Sequence, residues 1–215
     1  MICRITSSLA PSIAKKKITV LDKICYLLET VADRNDEHEA RATSGFHSTE
    51  TMPYSISKYV EHIFYCIPAG TRNETIQVAI ILICRLPPQI TLCICCVHRF
   101  FLAYTRIALK MIDDDAPRNS YLAYAGGVSV EELNLLEIKA LRLLDFKIFV
   151  TEDQFQAFSE VVFKTTCNSF LTKQLVNKLQ QTLHAIIPKF CVKCYRICHR
   201  FRIKCFNQRR SHLVG

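Results

Sequence analysis

Glycine and proline are scarce in this chain of 215 residues, which contains only 5 glycines and 7 prolines. So low a content excludes a collagen-like chain, and the 50% share of apolar residues excludes a wholly disordered one. The sequence can therefore bury a core. Its length allows one domain of ordinary size with extensions, or two small domains at most, and we take one domain as the default.

Long hydrophobic runs are also missing. The longest uncharged stretches, 75–84 and 86–98, fall well short of the roughly 20 apolar residues that a membrane helix needs. The first 20 residues carry Arg4 and three consecutive lysines, without the compact apolar run and cleavage site of a secretory signal. We therefore predict no membrane span and an intracellular protein, in the nucleus, the cytoplasm or both.

Acidic residues are absent after Glu160, whereas eleven lysines and arginines follow it. The part of the chain before that point is nearly neutral, so the net charge of +9 is concentrated in the C-terminal tail. A basic tail of this kind, here residues 188–215, favours an acidic protein, nucleic acid or an anionic membrane surface as its partner.

The twelve cysteines do not predict a disulfide framework, because an intracellular chain of this length has no need of one. Most lie in apolar helical runs and are expected to be small buried hydrophobes. A zinc site in the tail is the weaker alternative, since its cysteines also fall on one stripe of a basic amphipathic helix. We expect no resident metal or other cofactor. The weak metal candidates are Cys191, Cys194, Cys198 and His199.

Apolar residues recur at helical spacing along most of the chain, and no window alternates convincingly with the period of a strand. An amphipathic helix is predicted over 18–34 and is followed by a polar linker to residue 52. Further helices are predicted from Ser55 onward, and a capping box of Ser129 with Glu132 opens the fifth of them. The predicted class is all-α, and Gly126 with the glycine after it marks a turn.

Several short motifs follow one another in a fixed order in the second half of this helical region. They are VHRFFL at 97–102, ALKMIDD at 108–114, NSYLA at 119–123, GGVS at 126–129 and LDF at 144–146. Together they resemble the cyclin box of the single-box cyclins, which include the fungal phosphate-signalling cyclins and the plant U-type and P-type cyclins.

The resemblance covers roughly residues 18–158 and implies a cyclin fold with one five-helix box. It divides the chain into an N-terminal extension (1–52) with its amphipathic helix, the cyclin box (53–150), and a C-terminal helical extension with the basic, cysteine-rich tail (151–215). The resemblance further implies a regulatory subunit without catalysis of its own. A cyclin binds a cyclin-dependent protein kinase and positions the kinase C-helix, whose Glu then pairs with the ATP-positioning Lys.

The resemblance also implies which residues contact the kinase. Lys110 and Glu137 match the family's charged contact, and Asp114 would offer its carboxylate to an arginine of the kinase activation segment in place of a phosphate. Four apolar positions would receive the kinase helix. The full set is Lys110, Glu137, Met111, Asp114, Leu141, Phe146 and Ile148.

Each of these residues also has an ordinary structural interpretation. Charged side chains on a helix usually face water, and apolar residues at helical spacing usually belong to the core. The chain also departs from the family, with His62 in place of an Arg and Cys84 in place of an Asp. An alternative function is therefore a cyclin-fold adaptor that does not activate a kinase and binds nucleic acid or an acidic partner through its tail.

Overall fold

A computed structural model describes residues 19–36, 45–48, 52–87 and 89–164. The predicted basic helix and tail, with Cys191, Cys194, Cys198 and His199, lie outside these residues. The described part contains seven helices and no strand, which confirms the all-α class. The helices are α1 (Val20–Asp36), α2 (Ile56–Cys66), α3 (Arg72–Ile83), α4 (Val97–Ile112), α5 (Asn119–Ala125), α6 (Val130–Leu143) and α7 (Glu152–Lys164). None of the helices described is long and apolar enough to cross a membrane.

Helix α4 lies at the centre of the fold. From Val97 to Leu109 every residue except Arg99 is buried, and the helix packs against α2, α3 and α6. Helix α3 is buried on all sides from Thr75 to Ile83, because α4, α7, α1 and α2 surround it. A helix without an amphipathic pattern is expected in such a position.

The first helix docks on the rest of the domain, as its apolar face predicts. Ile24, Leu27 and Leu28 are buried, and α1 packs against α2, α3 and α7. The Lys23 ammonium donates a 2.7 Å hydrogen bond to the backbone carbonyl of Val162, near the end of α7. The first and last helices of the described chain are therefore in direct contact.

Two serines cap helices at their N-termini. Ser55 Oγ accepts a hydrogen bond from Lys58 N, and Ser129 Oγ accepts one of 3.0 Å from Glu132 N. The Ser129 half of the predicted capping box is thus present. The Glu132 carboxylate accepts a 2.7 Å bond from Arg99 Nε, which links α6 to α4.

The turn between α5 and α6 needs both of its glycines. Gly127 has a φ of +66°, in the left-handed region that favours glycine. A Cβ on Gly126 would come within 2.7 Å of Leu102 Cδ1, so α4 can approach this turn only where the side chain is missing. The Tyr59 hydroxyl of α2 donates a 3.1 Å bond to the Gly126 carbonyl and closes the turn against α2.

Candidate functional site

Lys110 and Glu137 form an ion pair across the contact between α4 and α6. Lys110 Nζ lies 2.5 Å from Oε1 and 2.7 Å from Oε2 of Glu137. The side chain of Glu137 is 5% exposed and that of Lys110 is 18% exposed. The two residues that the sequence places 27 positions apart are therefore neighbours, and their charges are largely withdrawn from water.

A second cation lies close to the same carboxylate. Arg106, one turn before Lys110 on α4, is buried and donates a 2.6 Å bond from Nη1 to the Pro117 carbonyl. Burial lowers the pKa of the Arg106 guanidinium, and the charge of Glu137 partly offsets that effect. Asn119 adds a 3.3 Å bond from Nδ2 to Glu137 Oε2. Glu137 is thus the anion that balances two cations at this end of α4.

This arrangement leaves Lys110 as the partly exposed member of the pair. An ammonium group has three N–H donors, so its two bonds to Glu137 leave a third for an acceptor on a partner, such as a backbone carbonyl. A hydrogen bond from a charged donor is stronger than one between neutral groups. The pair can therefore offer a fixed, charged donor at the surface.

The four apolar candidates divide into core and surface residues. Leu141 and Ile148 are buried in the domain core, at 5% and 2% exposure, and Met111 is half-buried at the end of α4. Phe146 is 47% exposed in the segment that follows α6. Of the four, Phe146 presents the largest apolar surface that a partner could cover.

The backbone after α6 turns Phe146 outward. Asp145 and Phe146 have φ angles of +50° and +57°, in the left-handed region where side chains other than glycine are strained. Hydrogen bonds from Asp145 N to Arg142 O and from Phe146 N to Leu141 O hold this conformation. Backbone strain retained at one place is often associated with function.

Arg85 fixes the continuation of this segment. Its Nη1 donates to the carbonyls of Lys147 (3.2 Å) and Phe149 (3.0 Å), and its Nη2 donates to Gln154 Oε1 at 2.6 Å. One guanidinium therefore ties the end of α3 to the segment after α6 and to the start of α7. Phe149, which sequence reasoning missed, belongs to the segment that Arg85 holds and is a second exposed phenylalanine, at 44% exposure.

The two departures from the family pattern have different environments. Cys84 is half-buried after the last turn of α3, and burial raises the pKa of its thiol to about 12. His62 is exposed on α2. Arg85, which follows Cys84, donates hydrogen bonds to the carbonyls of Lys147 and Phe149 and to the side-chain amide oxygen of Gln154.

Asp114 lies exposed just beyond the end of α4, four residues after Lys110. The neighbouring Asp113 carboxylate accepts a 3.0 Å hydrogen bond from Asp115 N, which closes the turn. Asp114 itself follows the end of α4 and is exposed to solvent. That position is compatible with a contact to a cationic group on a partner.

A second cluster, also missed by sequence reasoning, lies at the other end of α4. Cys93 Sγ is 3.4 Å from His47 Nε2 and 3.4 Å from Cys96 Sγ. Cys93 and Cys96 are buried, as was expected of most cysteines, but they are gathered with a histidine. The Cys-x-x-Cys spacing was the available signal, and His47, 46 residues away, was not predictable from it.

Comparison with known proteins agrees with the helical architecture and the motifs. The family model described as Cyclin matches residues 6–148. The chain belongs to the cyclin family. This membership supports a cyclin's regulatory role for the protein.

The cyclin is similar to plant members of the family. It is 33% identical to Cyclin-U4-1 of Arabidopsis thaliana over 156 residues, which cover 69% of this chain and 75% of that relative. It is 30% identical to Cyclin-U2-2 of Arabidopsis thaliana over 149 residues, 65% of either chain. It is 32% identical to Cyclin-P4-1 of Oryza sativa subsp. japonica over 147 residues, 63% of this chain and 68% of that one. The resemblance to U-type and P-type cyclins is thereby confirmed.

Proposed function

We propose that this cyclin binds and activates a cyclin-dependent protein kinase inside the cell. The kinase C-helix would dock on a surface that we call the α4–α6 face, formed by Lys110, Glu137, Phe146 and Phe149. The observation that carries the proposal is the Lys110–Glu137 pair, held at 2.5 Å next to the elements that carry the two exposed phenylalanines.

The α4–α6 face combines the features of a protein-binding hot spot. An aromatic side chain provides apolar area at small entropic cost, and a charged donor already fixed by its partner loses little freedom on binding. Arg85 holds the segment that carries Phe149, and the backbone hydrogen bonds of residues 144–146 hold Phe146. The face is therefore largely organised before a partner arrives.

The cyclin would activate the kinase by positioning the kinase C-helix, without taking part in the phosphate transfer itself. A kinase is active when the Glu of its C-helix pairs with the Lys that positions ATP. A C-helix seated on the α4–α6 face would be held in one place, which shifts the kinase population toward that paired state. Asp114 would offer its carboxylate to an arginine of the activation segment in place of a phosphate.

The proposal is tested by recovering partners from the cyclin's own cells. Tagged wild-type protein and a Phe146→Ala variant are purified from matched cultures, and the bound proteins are identified and quantified by mass spectrometry. We expect a cyclin-dependent kinase with the wild type and at least tenfold less of it with Phe146→Ala, as for a moderate hot spot. Alanine keeps the Cβ, so the strain at position 146 is unchanged.

Tyr54→Ala is the matched control, because Tyr54 is an aromatic residue with 61% exposure that precedes α2. Its backbone lies by His98, in the first turn of α4, whereas Lys110 lies about 18 Å along the helix. We expect this variant to recover the kinase at the wild-type level. Equal recovery with Phe146→Ala would contradict the proposed face. Loss of all partners on deletion of residues 188–215 would instead favour the adaptor alternative.

A further inference from the structure

Three side chains that commonly bind zinc converge between α1 and α4. Cys93 Sγ, Cys96 Sγ and His47 Nε2 all lie within 4.8 Å of one another, and Cys93 Sγ is 3.4 Å from each of the other two atoms. The cysteines belong to the loop that leads into α4, and the histidine belongs to the segment 45–48 that precedes α2. Two separate parts of the chain therefore supply the cluster.

The spacing of these atoms suits a tetrahedral metal ion. Zinc binds sulfur at about 2.3 Å and imidazole nitrogen at about 2.0 Å, which places neighbouring ligand atoms about 3.5–3.8 Å apart. The two separations of 3.4 Å need only a small expansion to reach these values. A disulfide would require the two sulfur atoms to approach to about 2.05 Å, a much larger change.

The backbone around the cluster is held by contacts that do not involve the three ligands. Ser48 N donates a 3.0 Å hydrogen bond to the Cys95 carbonyl, and Asn35 Nδ2 of α1 donates a 2.7 Å bond to the Leu92 carbonyl. The buried ring of Phe46 stacks on Phe100 of α4 with 4.0 Å between the ring centroids. His47 is thus fixed between two anchored neighbours, so the ligands are positioned in advance.

We propose that Cys93, Cys96 and His47 bind one Zn²⁺ ion, with a fourth coordination position left for water or another donor. Two thiolates and an imidazole are the ligand types that zinc prefers. Each thiol releases its proton to solvent when the metal binds. The ion would join the segment before α2 to the loop before α4. This site is independent of the proposed kinase contact, because it lies at the opposite end of α4 from Lys110.

The test measures zinc in the full-length protein, purified under reducing conditions after growth with added ZnCl₂. Metal per chain is determined by inductively coupled plasma mass spectrometry for the wild type, Cys93→Ser, Cys96→Ser and His47→Gln. We expect Cys93→Ser and Cys96→Ser each to lose one equivalent relative to the wild type. We expect His47→Gln to bind zinc at least tenfold more weakly in a competition titration with a chelating dye.

Two controls separate this site from the rest of the chain. Cys66→Ser changes a half-buried cysteine of α2 outside the cluster, and Cys194→Ser changes the tail. Both should keep the equivalent that Cys93→Ser loses. Because Cys93 and Cys96 are buried and their variants could misfold, the half-buried His47 gives a second route, checked by an unchanged far-ultraviolet circular dichroism spectrum.

Cobalt substitution gives a readout that reports the ligands directly. We expect Co²⁺ added to the apoprotein to give the intense visible bands of a tetrahedral site and a near-ultraviolet thiolate band, both lost in Cys93→Ser and kept in Cys194→Ser. A zinc content that the substitutions of Cys93 and His47 leave unchanged would overturn the proposal. A peptide mass showing a Cys93–Cys96 disulfide in protein isolated separately without reductant, with free thiols blocked at lysis, would overturn it as well.

Discussion

The Lys110 ammonium meets the Glu137 carboxylate at 2.5 Å, and this contact joins the last turn of α4 to the middle of α6. Glu137 is the more buried of the two and also faces Arg106, whose pKa is lowered by burial. The carboxylate therefore stabilises the packing of α4 on α6 by balancing these charges. The less buried lysine is the member of the pair that a partner could contact.

Removal of Glu137 should destabilise the fold more than removal of Lys110. We expect Glu137→Gln to lower the free energy of unfolding by about 3 kcal/mol, because it leaves two cations without their anion in a partly buried place. Lys110→Met should cost about 1 kcal/mol, because Arg106 and Asn119 still face the carboxylate. Urea unfolding monitored by circular dichroism measures both values. Equal costs would show that Glu137 does not balance Arg106.

Substitutions at Gly126 and Gly127, in the turn before α6, should lower the stability of the protein for different reasons. Gly126→Ala places a methyl group against Leu102 and should cost about 1–3 kcal/mol, as overpacking does. Gly127→Ala meets no close atom, with Met52 Cε the nearest at 3.9 Å, but must keep a φ of +66°. We expect it to cost about 1 kcal/mol.

Asparagine distinguishes the two cases, because it tolerates the left-handed conformation better than alanine does. Gly127→Asn should therefore be more stable than Gly127→Ala, whereas Gly126→Asn should be less stable than Gly126→Ala. Thermal unfolding of the four variants gives the order. The reverse order at either position would contradict the steric and conformational assignments.

Arg85 should hold both α7 and the segment after α6. Arg85→Met keeps the apolar stem but removes the bonds to the two carbonyls and to Gln154, and we expect it to cost about 1–3 kcal/mol. Backbone amides of α7 should then exchange faster with deuterium, while those of α4 remain protected. Unchanged exchange in α7 would show that the helix is held by its apolar contacts alone.

Cys25, which is buried, and Cys84, which is half-buried, should both react slowly with alkylating reagents. Burial raises the pKa of both Cys25 and Cys84 to about 12 from an ordinary value of 9.0, so their thiolate fraction at pH 8 falls roughly a thousandfold. Iodoacetamide labelling followed by peptide mass spectrometry should show little modification of either residue in the folded protein. The same residues in urea serve as the control. Rapid labelling of the folded protein would show that these sites open readily.

The helices were predictable from sequence because their signals are local. The apolar spacing of α1, the serine cap at Ser129 and the turn at Gly126 depend on residues within one or two turns of each other. Lys110 and Glu137 were candidates because both match charged positions of a recognisable family, whereas their pairing with each other required the structure. Local signals thus predict the helices, and the family resemblance identifies the charged residues of the α4–α6 face.

The other features of the two sites depend on packing between segments that are distant in the sequence. Helical spacing cannot tell a core position from an interface position, so the burial of Leu141 and Ile148 and the exposure of Phe146 required the structure. The bonds of Arg85 span more than 60 residues, and His47 meets Cys93 across 46. A pattern within a short sequence window cannot predict contacts between residues so far apart in the sequence.

Kinase activity recovered with the cyclin is the most direct test of the central claim. Complexes isolated with wild type, Phe146→Ala, Lys110→Ala and Tyr54→Ala are compared for phosphate transfer from labelled ATP to a general cyclin-dependent kinase substrate. We predict activity with wild type and Tyr54→Ala, and at least tenfold less with Phe146→Ala and Lys110→Ala, each shown by circular dichroism to be folded. Full activity with both substituted proteins, or a wild-type complex without kinase activity, would contradict the account.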